Sequence, residues 1–317
     1  MQSPISLLPL GIIFYCPLVF YRRRMATPLS EAVKGELFTY HRQRHLVAFR
    51  SGSEHAKRDL ILLGGLTDAL NPTPWTNRLA DRLHKHNCGL VMPQLTSSGV
   101  FGWALGSLSR DAEEVEAAIE QIPCNRGVVL MGHSTGCQIS AHALSTRTAV
   151  HQRCDGVVLQ APVSDRPTYP DKGLLEEAQE LVRNGQGDEL MPRNAELVTG
   201  DEKVPRVPIL ASRYASLAGR LGEDDYFSPD LSDDELASRF GGINVPLLLA
   251  PSAEDEAVPS ETDQHKLMER VEAATGKSGD LRNRIVVIES ADHAVSEENA
   301  QDALLVEVET FLRDLDK

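Results

Sequence analysis

The sequence predicts an α/β protein with a mostly parallel central sheet, helices on both faces and a helical cap inserted above the sheet. Two observations carry this prediction. Apolar runs typical of buried strands alternate with segments of helical spacing, an order that produces parallel sheets covered by helices. The alternation stops between about residues 163 and 241 and then resumes, so this stretch is expected to be an insertion in one domain over residues 25–317.

The first half of the chain supplies most of the predicted strands. Two short runs, ELFTYHR and HLVAFRS, are expected to form a hairpin. Continuous apolar runs, as in strands buried on both faces, follow them: DLILLGG, GLVMPQL, GVVLMG and DGVVLQAP. Between these runs lie three segments with helical spacing: PWTNRLADRLHKHN, SLSRDAEEVEAAIEQI and TGCQISAHAL.

The pattern of strands and helices resumes after the insertion. NVPLLLAPS and NRIVVIES are the predicted strands, and SETDQHKLMERVEAAT and AQDALLVEVETFLRDL are the predicted helices. Within the insertion, GLLEEAQELVRNG has helical spacing, but there is no run typical of a central strand. The insertion is therefore expected to lie above the sheet rather than to fold as a separate unit.

The stretch LMGHSTGCQ places a serine between glycines where a predicted strand meets a predicted helix. This is the context of the nucleophile elbow of α/β hydrolases, in which a sharp turn lifts the serine above the sheet. Bulky residues two positions before or after the serine would clash, which explains Gly132 and Gly136. Ser134 is therefore the predicted nucleophile, and the alternative is a turn in which the serine only caps the helix.

A serine hydroxyl is a weak nucleophile and needs a base that is oriented by an acid. In α/β hydrolases the order along the chain is serine, acid, histidine. His293 directly follows the last predicted strand, so it is the predicted base, against the alternative of a solvated loop histidine. Asp255 follows the strand before that and is the predicted acid, with Glu254 and Glu256 as open alternatives.

An oxyanion hole needs two N–H groups that point at the carbonyl oxygen of the substrate. The first is expected from Thr135, the residue after the nucleophile. The second is expected from the glycine-rich loop after the DLILL run, at Leu66 or, as the second choice, at Gly65. Asp68 in the same loop is a candidate contact for a substrate amine or hydroxyl, and the alternative is a solvated loop aspartate.

Composition and charge exclude some classes of partner. The chain has 32 lysines and arginines against 46 aspartates and glutamates, a net charge of −14. Nucleic-acid binders show a basic face instead, so no nucleic-acid partner is expected. The five cysteines include no CxxC pair, which argues against a zinc site or disulfide framework and favours a reducing, cytoplasmic location. We expect no metal and no organic cofactor.

The amino terminus, residues 1–24, is expected to lie outside the fold. Residues 5–21 are apolar and are followed by three arginines, but two prolines interrupt the run and no basic segment precedes it. The run is about long enough to span a bilayer. An upstream extension, a membrane anchor and a targeting segment therefore stay open, and association with a membrane is expected only through residues 5–21.

Four stretches together resemble a fungal family of α/β hydrolases long described only as a domain of unknown function: LLGGLTDAL, GHSTGCQ, SRYASLAGRLGEDDYFSPDLSDDEL and SADHAV. The resemblance covers the chain from about Met25. The family includes the fusarinine C esterases, cytosolic enzymes that cut the ester bonds of an iron-carrying cyclic hydroxamate and help to release its iron. The resemblance implies a triad of Ser134, Asp255 and His293, a small-molecule ester as substrate, and iron that arrives only within the substrate.

The residues of the insertion offer candidate contacts for such a substrate. Fusarinine C carries free amines, so the acidic residues of the insertion are a candidate rim that attracts it, although such runs are more often solvated: Glu223, Asp224, Asp225, Asp230, Asp233 and Asp234. Tyr214 and Tyr226 are candidate substrate contacts, with packing inside the cap as the alternative. The alternative functions are a general carboxylesterase, lipase or thioesterase, and a hydrolase-fold binding protein without catalytic activity.

Overall fold

The computed structural model describes residues 32–192, 207–280 and 282–317 and is built around one sheet of eight strands. In chain order the strands are β1 (Glu36–His41), β2 (Leu46–Ser51), β3 (Arg58–Leu63), β4 (Cys88–Pro93), β5 (Gly127–His133), β6 (Cys154–Gln160), β7 (Leu247–Ala250) and β8 (Arg284–Ile285). Their order in the sheet is β1-β2-β4-β3-β5-β6-β7-β8. β2 runs antiparallel to both of its neighbours and the other pairs are parallel, so the predicted fold class is confirmed.

Helices cover both faces of the sheet in the described residues. They are α1 (Thr76–Lys85), α2 (Gly99–Gly102), α3 (Leu108–Glu120), α4 (Thr135–Thr146), α5 (Thr148–Arg153), α6 (Lys172–Arg183), α7 (Ala211–Ala218), α8 (Asp233–Phe240), α9 (Gln264–Ala273) and α10 (Glu298–Asp314). The sequence pattern predicts α1, α3, α4, α6, α9 and α10. It misses α2, α5, α7 and α8, which have four to eight residues and are too short for helical periodicity to be distinctive.

The apolar strand runs are explained by burial on both faces of the sheet. Along β3, Leu60 and Leu62 point into one apolar cluster, which also contains residues of α1 and α10. Ile61 and Leu63 point into the opposite cluster, which contains residues of α3 and α4. Because successive side chains of a strand alternate between faces, a strand covered on both faces has to be apolar throughout.

The last strand is shorter than the predicted run of residues 285–289. β8 has two residues and lies at the edge of the sheet, with β7 as its neighbour. Beyond it the N–H of Val286 donates to the carbonyl of Leu249 (2.9 Å), and the N–H of Ile288 donates to that of Pro251 (2.8 Å). The chain therefore stays beside the end of β7 until it enters the loop that carries His293.

The insertion between β6 and β7 packs in two parts. Residues of α6 and α7 form an apolar cluster of their own with Trp103 and Tyr169. In contrast, Tyr226, Phe227 and the apolar residues of α8 belong to the main cluster beside α4 and α9. The structure thus differs from the single cap predicted over residues 163–241, since the later part of the insertion completes the core.

The predicted amino-terminal extension, residues 1–24, lies outside the described residues, as does its apolar run. Within the described part of the chain, no helix combines the length and apolar composition that crossing a membrane requires.

Candidate active site

β5 and α4 are joined by a sharp turn at Ser134. Ser134 has φ 54° and ψ −125°, a conformation that is strained for a residue with a side chain. A Cβ on Gly132 would lie 2.2 Å from the carbonyl oxygen of Gly136, and one on Gly136 would lie 2.2 Å from that of Leu63. The two glycines therefore allow the turn to close and α4 to pack against the end of β3, which leaves the serine side chain at the carboxyl edge of the sheet.

Ser134, Asp255 and His293, which follow β5, β7 and β8 respectively, meet at this edge of the sheet. His293 Nε2 lies 2.8 Å from Ser134 Oγ. His293 Nδ1 lies 2.9 Å from Oδ1 and 3.0 Å from Oδ2 of Asp255. A carboxylate at Nδ1 assigns the imidazole proton to that nitrogen, so Nε2 is left to accept the proton of the serine hydroxyl.

The three consecutive acidic residues after β7 take different positions. The buried carboxylate of Asp255 contacts the ring of His293. Glu256 Oε2 accepts a hydrogen bond from the backbone N–H of His293 at 2.9 Å. The side chain of Glu254 is exposed, and its backbone N–H donates to the carbonyl of Ala291 at 2.9 Å. Of these three carboxylates, that of Asp255 is the one that contacts the imidazole ring of His293, as the acid of a triad does.

Neighbouring charges make His293 a stronger base. Burial disfavours the imidazolium and so lowers the pKa of His293. The hydrogen bond to Asp255 and the negative charges of Asp255, Glu256 and Asp68 outweigh this effect, and the pKa lies above its usual value. The same carboxylates would stabilise the imidazolium that forms when His293 takes a proton from a nucleophile.

The glycine-rich loop after β3 lies directly against the serine. A Cβ on Gly65 would be 2.8 Å from Ser134 Cβ. The N–H of Gly65 donates to Asp68 Oδ2 at 2.9 Å, so the second-choice oxyanion donor is already engaged and this choice is corrected. Leu66 packs against the α6–α7 cluster. Thr135 is the first residue of α4, so its N–H has no acceptor within the helix.

Gln160 and Trp75 support the site, although no sequence motif indicates this role for them. His133 Nδ1 lies 2.6 Å from Gln160 Oε1, and its ring centroid is 5.2 Å from that of His293. The indole Nε1–H of Trp75 donates to the carbonyl of Ala294 at 3.1 Å, which holds the loop of His293 from its other side. These contacts join parts of the chain far apart in sequence, and no local pattern marks them.

The acidic residues of the insertion divide into two groups: Glu223, Asp224 and Asp225 are engaged by protein groups, whereas Asp230, Asp233 and Asp234 are exposed. Glu223 accepts hydrogen bonds from the N–H groups of Leu108 and Ser109, at the start of α3. Asp224 and Asp225 are buried. Arginines pair with several of these acids: Arg213 with Asp224, Arg166 with Asp225 and Asp230, and Arg270 with Asp233. Asp234 lies in the first turn of α8. The rim expectation is therefore corrected for Glu223, Asp224 and Asp225, and it stays a prediction for the three exposed aspartates.

Tyr214 and Tyr226 pack inside the protein. Tyr214 is 3% exposed, and its ring stands edge-on to Tyr169 at a centroid distance of 5.4 Å. Tyr226 is 2% exposed, and its hydroxyl lies 2.9 Å from His142 Nδ1. The expectation that these rings contact the substrate is corrected in favour of the packing alternative.

A polar layer lies behind the glycine-rich loop after β3, between the sheet and the α6–α7 part of the insertion. Leu66, Thr135, Asp111 and Arg213 line a small cavity there. Ser97 Oγ donates to Asp111 Oδ1 at 2.7 Å, and burial raises the pKa of Asp111 to about 7. Across the described residues, no group of three or more histidines, cysteines, aspartates or glutamates is arranged to hold a metal ion.

Comparison with known proteins identifies the family. Residues 25–313 match the family model described as DUF1749, a protein of unknown function. The chain belongs to this family. The resemblance drawn from its four sequence stretches is therefore confirmed.

Two relatives and one solved structure are similar to this chain, and two of these three proteins are named as an esterase or a hydrolase. The chain is 31% identical to the UPF0613 protein PB24D3.06c of Schizosaccharomyces pombe, over 77% of this chain and 83% of that protein. It is 29% identical to the fusarinine C esterase sidJ of Aspergillus fumigatus, over 82% of this chain and 90% of that protein. The structure of the siderophore hydrolase EstB of the same species superposes with a TM-score of 0.70 at 28% sequence identity. The match covers 90% of this chain and 98% of EstB. The fold is that of the α/β hydrolases.

Proposed function

We propose that this DUF1749 protein is a serine esterase in which Ser134, His293 and Asp255 form the catalytic triad. The observation that carries the proposal is the continuous hydrogen-bonded line from Asp255 through His293 to Ser134, with contacts of 2.9 Å and 2.8 Å. The strained backbone of Ser134 supports it, because such strain concentrates at functional sites. The names of the relatives support an ester as the bond that is cut.

In the first half of the proposed reaction the serine is acylated. Ser134 Oγ attacks the ester carbonyl carbon while His293 Nε2 takes the hydroxyl proton, and Asp255 stabilises the imidazolium. The N–H groups of Leu66 and Thr135 hold the oxyanion of the tetrahedral intermediate. When that intermediate collapses, the C–O bond breaks, and His293 gives its proton to the leaving alcohol.

In the second half, water releases the acyl group. His293 takes a proton from the water as its oxygen attacks the acyl-enzyme carbonyl, and the same N–H groups hold the new oxyanion. Collapse of this intermediate breaks the bond to Ser134 Oγ, which regains its proton from His293. The products are a carboxylic acid and an alcohol, and every step uses side chains and backbone of the chain itself.

We further infer that the substrate is a hydroxamate siderophore of the fusarinine C type, and that cleavage of its esters aids intracellular release of iron. The names of sidJ and EstB support the substrate class. Iron belongs to the substrate in this scheme. Asp68 is the remaining candidate contact for a substrate amine, because its carboxylate lies in the loop beside Ser134 and its charge acts on His293.

The test uses the full chain, its Ser134→Ala variant and a control variant, Ser238→Ala. Ser238 is an exposed serine on α8, and its hydroxyl donates to the carbonyl of Glu235 in its own turn. Each protein is incubated with ferric fusarinine C, the N-acetylated form of that siderophore and p-nitrophenyl acetate and butyrate. Products are followed by mass spectrometry, and a fluorophosphonate probe reports whether the serine is reactive.

The expected result is Ser134-dependent release of linear fusarinines, faster than cleavage of the simple esters and slower for the acetylated form that lacks amines. Loss of Ser134 should lower the rate by about 10³-fold or more, with Ser238→Ala unaffected. Turnover of simple esters alone contradicts the siderophore and favours a general esterase. Absence of both turnover and labelling contradicts the esterase and favours a binding protein.

A further inference from the structure

We propose that Glu256 is a positioning residue that fixes the backbone of His293, while Asp255 fixes its ring. The inference rests on the proposed role of His293 as the catalytic base. Glu256 Oε2 accepts a hydrogen bond from the N–H of His293 at 2.9 Å, so the carboxylate acts on the same residue as the triad acid but at a different point.

The loop that carries His293 is strained on both sides of the histidine. Ser290 has φ 56° and Val295 has φ 54°. Positive φ is uncommon for residues other than glycine and is an outlier for a β-branched residue such as valine. Conformations of this kind persist only where the surroundings hold them in place. The position of His293 therefore depends on contacts from outside its own loop.

The contacts around this loop hold it at several points. The N–H of Ala253 donates to the carbonyl of Ile288 (3.0 Å), which ties the start of the loop to the segment after β7. The indole of Trp75 holds the carbonyl of Ala294. Glu256 acts between these points, at the peptide group of the histidine itself.

Two fixed points define the direction of a side chain better than one. With its backbone held by Glu256 and its Nδ1 held by Asp255, His293 directs Nε2 toward Ser134. A hydrogen bond to a carboxylate is among the stronger ones in proteins. If that bond is removed, the backbone can relieve its strain and the ring can move while it still contacts Asp255, so the Nε2–Oγ distance is no longer fixed.

Glu256 also acts through its charge, which gives the role a second readout. The carboxylates that face His293 are Asp255, Glu256, Asp68 and Asp165, from the loops after β7, β3 and β6. The negative charge of Glu256 contributes to the raised pKa of His293. Glutamine keeps an oxygen acceptor for the N–H but removes the charge. It should therefore preserve the position of the histidine and lower its pKa.

The experiment compares Glu256→Ala and Glu256→Gln with Glu254→Gln as the matched control. Glu254 lies in the same loop and carries the same charge, but its side chain is exposed. For the full chain and each variant, kcat and KM for p-nitrophenyl butyrate and the rate of fluorophosphonate labelling are measured between about pH 5 and 9. Thermal unfolding is recorded in parallel, because a purely structural role would move only the melting temperature.

We expect Glu256→Ala to lower kcat and the labelling rate by about 10-fold with KM nearly unchanged, since a misdirected base affects the transition state more than binding. Glu256→Gln should recover most of the rate near pH 8 and retain activity to lower pH than the parent chain. Glu254→Gln should match the parent chain. If both Glu256 variants keep the kcat, the labelling rate and the pH profile of the parent chain, the positioning role is overturned and the proposed function is not. If the parent chain itself is neither labelled nor hydrolyses the ester, the proposed function is overturned.

Discussion

Gly65 lies so close to the nucleophile that even a methyl group should disturb the site. A Cβ added there would lie 2.8 Å from Ser134 Cβ and 3.3 Å from its Oγ. We expect Gly65→Ala to displace Ser134 or the glycine-rich loop after β3. The value of kcat/KM should fall by about 10- to 100-fold, because small misplacements of reacting groups lower the rate strongly. Activity on p-nitrophenyl butyrate, together with the melting temperature, measures the effect.

The control for this substitution is Gly173→Ala, in α6. A Cβ there would meet only Asp171 Oδ1, at an ordinary contact distance of 3.4 Å. This variant should keep the parent activity. Equal kcat/KM for Gly65→Ala and the parent chain would mean that the loop after β3 moves freely relative to Ser134, and it would remove the support for a fixed oxyanion donor at Leu66.

The raised pKa of His293 predicts the pH dependence of activity. A base must be neutral to take the serine proton, and the neutral fraction of His293 falls as pH drops through its pKa. Because the carboxylates around it raise that pKa above the usual value of about 6.5, activity should begin to fall at a higher pH than for an unperturbed histidine. A pH profile of kcat/KM for a neutral ester measures this, and an acid limb below about pH 6 would contradict it.

The order of residues along the chain predicts that Ser134 and His293 lie close together, because strand and helix patterns place both at the same edge of the sheet. Sequence cannot distinguish Asp255 from Glu256, since both follow the same strand and differ only in which way the loop turns each side chain. The engagement of Gly65 by Asp68 is similarly invisible, because it depends on the conformation of a short loop. Such three-dimensional details decide which backbone N–H groups are available.

Among the helices that periodicity does not predict, α8 has a recognisable start in the sequence. Ser232 Oγ accepts the N–H of Glu235, and the Glu235 carboxylate accepts the N–H of Ser232 in return, which is a capping box. The serine and the glutamate are three positions apart, within a run dominated by acidic residues. The apolar residues of this segment, Leu236 and Phe240, are buried in the main core.

The α7 part of the insertion is held by a buried ion pair. Arg213 Nη1 lies 2.5 Å from Asp224 Oδ2, and Arg213 Nε donates to the carbonyl of Trp103 at 3.0 Å. Breaking one side of a buried pair leaves an uncompensated charge, so Arg213→Met should lower the free energy of unfolding by about 3–5 kcal/mol. Urea denaturation of the full chain measures the loss.

A double-mutant cycle with Asp224→Asn separates the pair from other effects of the arginine. Since the second substitution removes the charge that the first leaves unpaired, the double variant should lose less stability than the sum of the single variants, by about 1 kcal/mol or more. Should Arg213→Met alone yield no folded protein, the double variant is expected to recover it. Strictly additive losses would mean that the ion pair contributes little to holding α7.

At the scale of the whole molecule, the parallel sheet separates two apolar clusters, and the α6–α7 cluster forms a third unit above its carboxyl edge. The first two are foreseeable from apolar runs and helical spacing. The third is not, because it joins Trp103, which is distant in sequence, to α6 and to the short helix α7, and no local pattern indicates that contact. Where this unit meets the sheet, polar side chains such as Asp111 and Arg213 are buried. When burial shifts the pKa of a carboxyl group such as that of Asp111, the stability of the fold depends on pH.

Asp111 in this polar layer predicts how global stability changes with pH. Burial raises the pKa of Asp111 to about 7, whereas a carboxyl of the unfolded chain has a pKa near 4. Between these values the folded protein holds a proton that the unfolded chain has released, so stability falls as pH rises, by about 1.4 kcal/mol per pH unit for this one group. Asp111→Asn removes the titration, and its amide oxygen can still accept the hydrogen bond from Ser97.

The free energy of unfolding of the parent chain and of Asp111→Asn should therefore converge near pH 4 and separate up to about pH 7, with the variant the more stable at the upper end. Above that pH the difference should stay constant, because the carboxyl is ionised in both states. Denaturant unfolding at a series of pH values measures the two curves, and the shared contributions of all other groups cancel in their difference. Parallel curves across this range would mean that Asp111 ionises in the folded protein as it does in the unfolded chain, and that the layer behind the glycine-rich loop after β3 is open to water.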